Sequence, residues 1–386
     1  MVKLTNKRYY FDYNSSSPLA KSVIEWFASG DFFVTNPNSL HTSGKKSLKY
    51  IRETQTYLFD TFQLGATHQV FFHSGATEGI NTFVINEIST GDEEKHLILF
   101  ETDHSSAYKI KNITDQYKIN LHLKTLVNSA GELKTDELIR FIKTLKGKII
   151  INYTWVNNET GIIWPLDEAV RIKQATGAFI HVDATQSVCK LKDWNLLSPM
   201  LDAYTYSGHK FGALTGVGFS FYKKDYPIKY LVNGAKGVLH GRPGTPNTTG
   251  IYSIYLALRE TIKKYDHDES LAAINYLKDQ LDNLLKNHGY VISKNSLNCC
   301  TNTLSLFFNA KKGLDVLNMF DMNGIEVGVG SACSSGILGP NRVLIAYGVD
   351  ENKSNNSIRF SFETDLTMEK AKTYFEMIKK ILLKAF

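Results

Sequence analysis

Short runs of β-branched and apolar residues, QVFFHS, HLILFE, KIIINYTWV, AFIHVDA and AYTYS, alternate up to residue 207 with segments of helical period such as TDELIRFIKTLK and LDEAVRIKQATG. An apolar run of strand length reads as a strand buried on both faces, and parallel strands joined by covering helices are how such runs are accommodated. The pattern therefore predicts an α/β fold built on a largely parallel sheet. Open sheets of this kind bind ligands just beyond the carboxyl ends of their strands. Thr77, His104, Asn158, Asp183 and Lys210 all fall just after predicted strands, so the chemistry is sought among them.

Before the first of these strands, SLHTSGKKSLKYIRETQTYLFDTFQL places Leu48, Ile51, Leu58 and Phe62 at helical spacing after a polar turn, which predicts a helix. From about Ile251 the texture changes. One long helical pattern, SIYLALRETIKKYDHDESLAAINYLKDQLDNLLKNHG, leads to TNTLSLFFNA, a further helix and the strand NSIRFSFE. This predicts a smaller α+β domain of residues 1–14 and 256–386 beside a large domain of residues 15–255.

The chain of 386 residues carries a net charge of +6 from lysines scattered along it, a balance that argues against direct nucleic-acid binding. Its start, MVKLTNKRYYFDY, has no apolar core of a signal peptide, and no stretch approaches the roughly 18 apolar residues of a membrane span, so a cytoplasmic protein is expected. Cys189, Cys299, Cys300 and Cys333 show no CxxC spacing, which fits a reducing compartment and gives no metal site. Adjacent Cys299 and Cys300 read as packed thiols, and Cys189 as core at the apolar end of a strand.

Lys210 lies in YTYSGHKFG, with a hydroxyl and an imidazole before it and a glycine-rich stretch after it, as a lysine that holds a phosphorylated aldehyde requires. Pyridoxal phosphate further demands an acid for the ring nitrogen, donors for the phosphate and something flat against the ring. HSGATEG follows a strand and opens a helix, so the amides of Ala76 and Thr77 and the Thr77 hydroxyl face an anion at a helix N-terminus. Asp183 ends an apolar strand, where a protonated pyridine nitrogen would pair with it. Gln186 is spaced to reach the ring's phenolic oxygen, and His104 in TDHSS to stack on the ring and move protons. Taken singly, each has a plainer reading as a turn, a cap or a structural histidine; taken together they specify a cofactor site. Cys333 sits in GVGSACSSG, too polar and small-residue-rich for core, and reads as a nucleophile on a movable loop.

HSGATEG, VNNETG, HVDATQS, SGHKFG, RPGT, GSACSSG and SIRFS occur in that order, and the chain from YYFDYNSSSP to SIRFSF resembles the pyridoxal-phosphate-dependent cysteine desulfurases of the class V aminotransferase family. The resemblance implies the fold-type I transferase architecture, with a mostly parallel seven-stranded sheet plus a smaller α+β domain. It implies that Lys210 carries the cofactor as an aldimine, that Asp183 pairs with the ring nitrogen, and that Gln186 and Asn158 hold the ring oxygen and the substrate side. His104 would stack on the ring. Thr77, Ser207 and His209 would bind the phosphate, joined by Thr245 from a second subunit, which implies a homodimer. Arg359 would grip the substrate carboxylate through its guanidinium fork.

The reaction so implied takes L-cysteine to L-alanine: Lys210 removes the Cα proton, and the Cys333 thiolate takes the sulfur as a persulfide for an acceptor or scaffold protein. The acceptor, in iron–sulfur cluster assembly or thiolation, is not specified by any residue. Two departures stand out: NGAKGVLHG where the family commonly has a glycine-rich run ending in a polar pair, and Arg342 where a histidine is familiar. The alternatives are another class V enzyme, such as a selenocysteine lyase or an aminotransferase, and a catalytically idle scaffold subunit. An aminotransferase has no need of Cys333.

Overall fold

A computed structural model describes residues 8–31, 35–128, 130–234, 242–330 and 339–386. β1 (Tyr9–Phe11) is followed by two helices, α1 (Lys21–Ala28) and α2 (Thr42–Phe62). The next strands, β2 (His68–His73), β3 (Lys95–Phe100), β4 (Asn120–Lys124), β5 (Lys148–Thr154), β6 (Phe179–Asp183), β7 (Ala203–Ser207) and β8 (Gly218–Lys223), form a seven-stranded sheet in the order β2-β8-β7-β6-β5-β3-β4. All neighbours pair in parallel except at β8, which runs against both β7 and β2. The predicted α/β class and largely parallel sheet are what the chain adopts.

The helices that return the chain between parallel strands are α3 (Ala76–Ser89), the single turn α4 (Ser105–Tyr108), α5 (Thr135–Ile142) and α6 (Leu166–Thr176). Because side chains alternate across a strand, β3 sends Leu97 and Leu99 to the face covered by Ile80, Phe83 and Val84 of α3, while Ile98 and Phe100 join the opposite core with Ile51 and Leu58 of α2. Each of these side chains is fully buried, which stabilises the sheet by about 1.5–3 kcal/mol per residue. Gly79 shows how tightly α3 lies on the strands. A β-carbon there would come within 2.6 Å of His73 Nε2 and 2.7 Å of Thr205 Cγ2, so only glycine fits.

The continuous helix expected after Ile251 is two helices, α7 (Thr248–Lys264) and α8 (His267–Leu285). The break has a local cause: the Asp266 carboxylate accepts from the Glu269 amide at 3.0 Å and caps a new helix start, with Asp268 and Glu269 in its first turn. Four further strands and three helices follow: β9 (Gly289–Val291), β10 (Thr303–Phe308), α9 (Gly313–Met322), β11 (Ile325–Val329), α10 (Arg342–Ala346), β12 (Ser357–Ser361) and α11 (Met368–Ala385). With β1 they make a second, five-stranded sheet in the order β1-β11-β12-β10-β9, antiparallel but for the β1–β11 edge. Its core, with Leu306, Phe308, Ile358 and Phe360 against α8 and α11, is separate from the cores of the large sheet. Cys300 is buried and Cys299 half-buried, both as free thiols. Cys189 is core as expected but lies in the turn beyond β6 rather than on a strand, with a φ of 51° that non-glycine residues adopt rarely.

Candidate active site

The carboxyl ends of β5, β6 and β7 and the start of α3 surround a cavity of about 370 Å³. Its lining includes Ala76, Thr77, His104, Asn158, Asp183, Gln186, Ser207, His209 and Lys210, so nine of the residues singled out in the sequence face one space.

At one end lies the α3 N-terminus, whose first N–H groups have no acceptor within the helix. Gly75 supplies an opening: a β-carbon there would point at Ser207 Oγ, 3.8 Å away. Glu78 braces this turn, accepting from the Ser74 amide at 2.9 Å, the Ser74 hydroxyl at 2.6 Å and Arg242 Nε at 2.6 Å. Burial works to raise the Glu78 pKa, but those hydrogen bonds and the Arg242 charge outweigh it and hold it below the usual carboxylate value. Arg242 of RPGT thus serves this turn within its own chain. Thr245 does not: it is exposed and is absent from the cavity wall.

Lys210 follows β7 in a short 3-10 turn (Gly208–Lys210), and its amine donates to the carbonyls of Asn14 at 2.7 Å and Ser15 at 2.8 Å. Burial pushes its pKa down to about 8, helped by Arg359 and opposed by Asp12 and Asp183. Burial, with the charges of Lys210 and Lys190, likewise pushes His209 down to about 4, leaving a neutral ring whose Nδ1 lies 3.3 Å from Ser16 Oγ. Asp183, 5% exposed, uses Oδ1 to accept from the Thr185 amide at 3.1 Å. The buried Thr185 hydroxyl beside it has no hydrogen-bond partner among the described residues.

His104 caps α4, with Nδ1 accepting from the Ser106 amide at 3.2 Å and from its hydroxyl at 2.8 Å. That bonding leaves the proton on Nε2, and burial with repulsion from Lys210 and Arg342 lowers the ring's pKa. Arg342, the departure noted in the sequence, grips the segment that carries His104. Its guanidinium donates to the carbonyls of Glu101 and Asp103 and lies 3.7 Å over the Tyr108 ring.

Arg359 of β12 is 8% exposed and arrives from the small sheet. Nη2 pairs with Asp12 at 2.5 Å and Nη1 donates to the Asn158 carbonyl at 3.1 Å, while the buried Nε has no partner among the described residues. Asn158 itself lines the cavity. Cys333 lies outside the described residues, as does most of NGAKGVLHG. The residues on either side of the cysteine segment do meet: a β-carbon on Gly330 would strike Asn341 Nδ2, and Asn341 donates to Glu159, next to Asn158, at 2.7 Å.

Two residues at the heart of the site were missed by the sequence reading. Asn14, 3% exposed, accepts at Oδ1 from Lys190 and Asn302, donates through Nδ2 to Asn158 and Thr303, and receives both Gln186 and Lys210 on its carbonyl. Its only sequence signal was a position in YYFDYNSSSP, where the resemblance begins. Lys190 sits behind Gln186 and gave no signal, because a lysine in SVCKLK looks like a surface residue.

Residues 9–373 match the family model described as Aminotransferase class-V. The chain is 29% identical over 365 residues to an IscS-like cysteine desulfurase of Mycobacterium tuberculosis, covering 91% of this chain and 90% of the relative. It is 26% identical over 372 residues to the cysteine desulfurase NifS of Azotobacter vinelandii, covering 93% and 89% of the two chains. Among solved structures, a NifS-like protein from Rickettsia africae superposes with a TM-score of 0.79 at 23% identity, over 97% of this chain and 99% of that one. The apo cysteine desulfurase of Thermococcus onnurineus superposes with a TM-score of 0.82 at 18% identity, over 98% and 95%. At these identities the superpositions speak for the fold.

Proposed function

The chain belongs to the aminotransferase class-V family, and from that membership we propose that it is an L-cysteine desulfurase that converts L-cysteine to L-alanine and passes the sulfur, as a persulfide on Cys333, to an acceptor protein. The family is pyridoxal-phosphate-dependent. The observation that carries the reading is Lys210: a half-buried amine with its pKa brought down to about 8, in a cavity whose wall also holds an anion-seeking helix start and the Asp183 carboxylate.

The donor set suits pyridoxal phosphate. Ala76 and Thr77 amides, the Thr77 and Ser207 hydroxyls and His209 would hold the phosphate beside the space that Gly75 leaves open. The Asp183 carboxylate on the cavity wall and the Thr185 hydroxyl, which has no hydrogen-bond partner among the described residues, supply polar groups for it. When bound, the cofactor supplies an electron sink next to the substrate Cα.

The chain's own groups then have definite tasks. The free Lys210 amine would take the Cα proton, for which a pKa near 8 is suited at neutral pH. His104, on the cavity wall with Nδ1 engaged by Ser106, would stack on the cofactor ring and keep its Nε2 proton for the cleft. Arg359 binds the substrate carboxylate, using the Nε that has no partner among the described residues, and Asn158 holds the substrate side. The Cys333 thiolate attacks the substrate sulfur. An S–S bond forms as the C–S bond breaks, the bonding electrons stay with the carbon, and protonation there gives alanine. A homodimer in which Thr245 reaches the partner's phosphate site, a cytoplasmic setting and a sulfur-accepting protein complete the proposal.

The test is production of alanine and sulfide from L-cysteine with a reductant. Wild type should yield both in equal amounts, Cys333→Ala should retain the yellow cofactor yet lose sulfide, and Lys210→Ala should lose both products. A yellow wild type that ignores cysteine would point to another substrate of the class V family.

A further inference from the structure

A second buried lysine stands behind the cleft, outside the chemistry above. Lys190 is 2% exposed, on the turn after β6, and its amine donates to Gln186 Oε1 at 2.5 Å and to Asn14 Oδ1 at 3.0 Å. Its backbone carbonyl is clamped by Thr301, from the amide at 2.7 Å and the hydroxyl at 3.2 Å. Both acceptors of the amine are neutral oxygens. A cation buried on neutral partners costs more to hold than an apolar side chain of the same length, so its presence calls for a role beyond filling space. Burial pushes its pKa down to about 7, with Lys210 and Arg359 adding repulsion.

The two acceptors, Gln186 and Asn14, are also bonded to each other. The Asn14 carbonyl receives Gln186 Nε2 at 2.9 Å and the Lys210 amine at 2.7 Å. As an ammonium Lys190 only donates, and in that form it turns the Gln186 oxygen towards itself and the Gln186 nitrogen towards Asn14. Without that donor only the Asn14 carbonyl opposes a flip of the amide, and the flipped amide would present an acceptor where the site needs a donor.

We propose that Lys190 is a positioning residue, which locks the Gln186 amide with its NH2 towards the cleft and fixes the Asn14 carbonyl on which the Lys210 amine rests. The inference stands on the reading of the cleft as a pyridoxal-phosphate site, in which Gln186 donates to the ring's phenolic oxygen.

The experiment titrates pyridoxal phosphate into cofactor-free wild type, Lys190→Met, Gln186→Ala and the double variant, reading the yellow absorption band; methionine keeps the stem and removes the donor. Lys190→Met should weaken cofactor binding about tenfold and displace the absorption maximum, as expected for losing a charged hydrogen bond. In the Gln186→Ala background the same change should cost less than about threefold, because the effect runs through the amide. Equal losses in both backgrounds, or a lowered unfolding temperature with an unmoved band, would overturn the proposal. A coloured wild type with an indistinguishable Lys190→Met overturns it alone, whereas a wild type that takes up no cofactor overturns the underlying reading with it. Should Lys190→Met not fold, a crystal structure of cofactor-bound wild type decides. Lys190 on the Gln186 amide, with the opposite edge of that amide towards the ring, is the expected result, and Lys190 directed elsewhere is the contrary one.

Discussion

At the α3 end of the cleft, Thr77, Asp183, Gln186, Ser207 and Lys210 all follow closely on strands of the large sheet, whereas the Arg359 end, which lies outside the cavity lining and meets it through the Asn158 carbonyl, is assembled from the N-terminal segment, the loop after β5, and β12 of the small sheet. The first end is held by strand pairing that any residue's backbone can supply. The second depends on two sheets meeting, and Asn14 is where they meet: it bonds Thr303 of β10, the Ser361 hydroxyl of β12, the Asn158 loop, Lys190 and Lys210. The difference separates two kinds of failure. Damage to the α3 end should release the cofactor, while damage to the Arg359 end should leave it bound and lose the substrate.

The largest expected effect is Lys210→Ala, which removes both the cofactor linkage and the general base and should lower sulfide formation about ten-thousand-fold, measured by single-turnover alanine release. Arg359→Ala sharpens the contrast. It should keep the yellow colour and lower kcat/KM for cysteine about a hundredfold, mainly through KM, as steady-state kinetics would show; loss of colour would mean the two ends are not separable. Asn14→Ala tests the seam. Its side chain makes four hydrogen bonds in a buried site, so the variant should lose about 2–4 kcal/mol in denaturant unfolding and disturb both colour and KM.

The smallest effect is one of pH. Lys190 and Lys210 have pKa values of about 7 and about 8 in the folded protein against 10.5 for ordinary lysine. Above those folded values the unfolded chain binds protons that the folded chain has released, so stability rises with pH, and it is lost as pH falls through them. The denaturation midpoint of the cofactor-free protein should therefore rise between about pH 7 and pH 9, and less so in Lys190→Met. An identical slope in both proteins would remove Lys190 from this balance.

The same contrast governs what the sequence made visible. Residues placed by local geometry, such as Thr77 after β2 or Asp183 at the end of β6, could be read because a strand and a turn announce them. β4 escaped notice because NLHLK is an edge strand that alternates without a continuous apolar run. The join between α7 and α8 was hidden since helical period persists through Tyr265 and Asp266, and only the capping geometry ends it. Lys190 was illegible in principle: nothing in a one-dimensional pattern distinguishes a solvated lysine from one folded onto Gln186 and Asn14. Arg342 was visible as an oddity, but its hold on the Glu101 and Asp103 carbonyls depends on α10 packing beside α4.

Transfer of sulfur to Cys333 is tested most directly by mixing the cofactor-loaded protein with one equivalent of L-cysteine, without reductant, and mapping the peptides by mass spectrometry. The expected result is one added sulfur atom on the peptide that contains Cys333, with one alanine released per site. Alanine release with the sulfur found on Cys299 or Cys300, or on no cysteine, would contradict it.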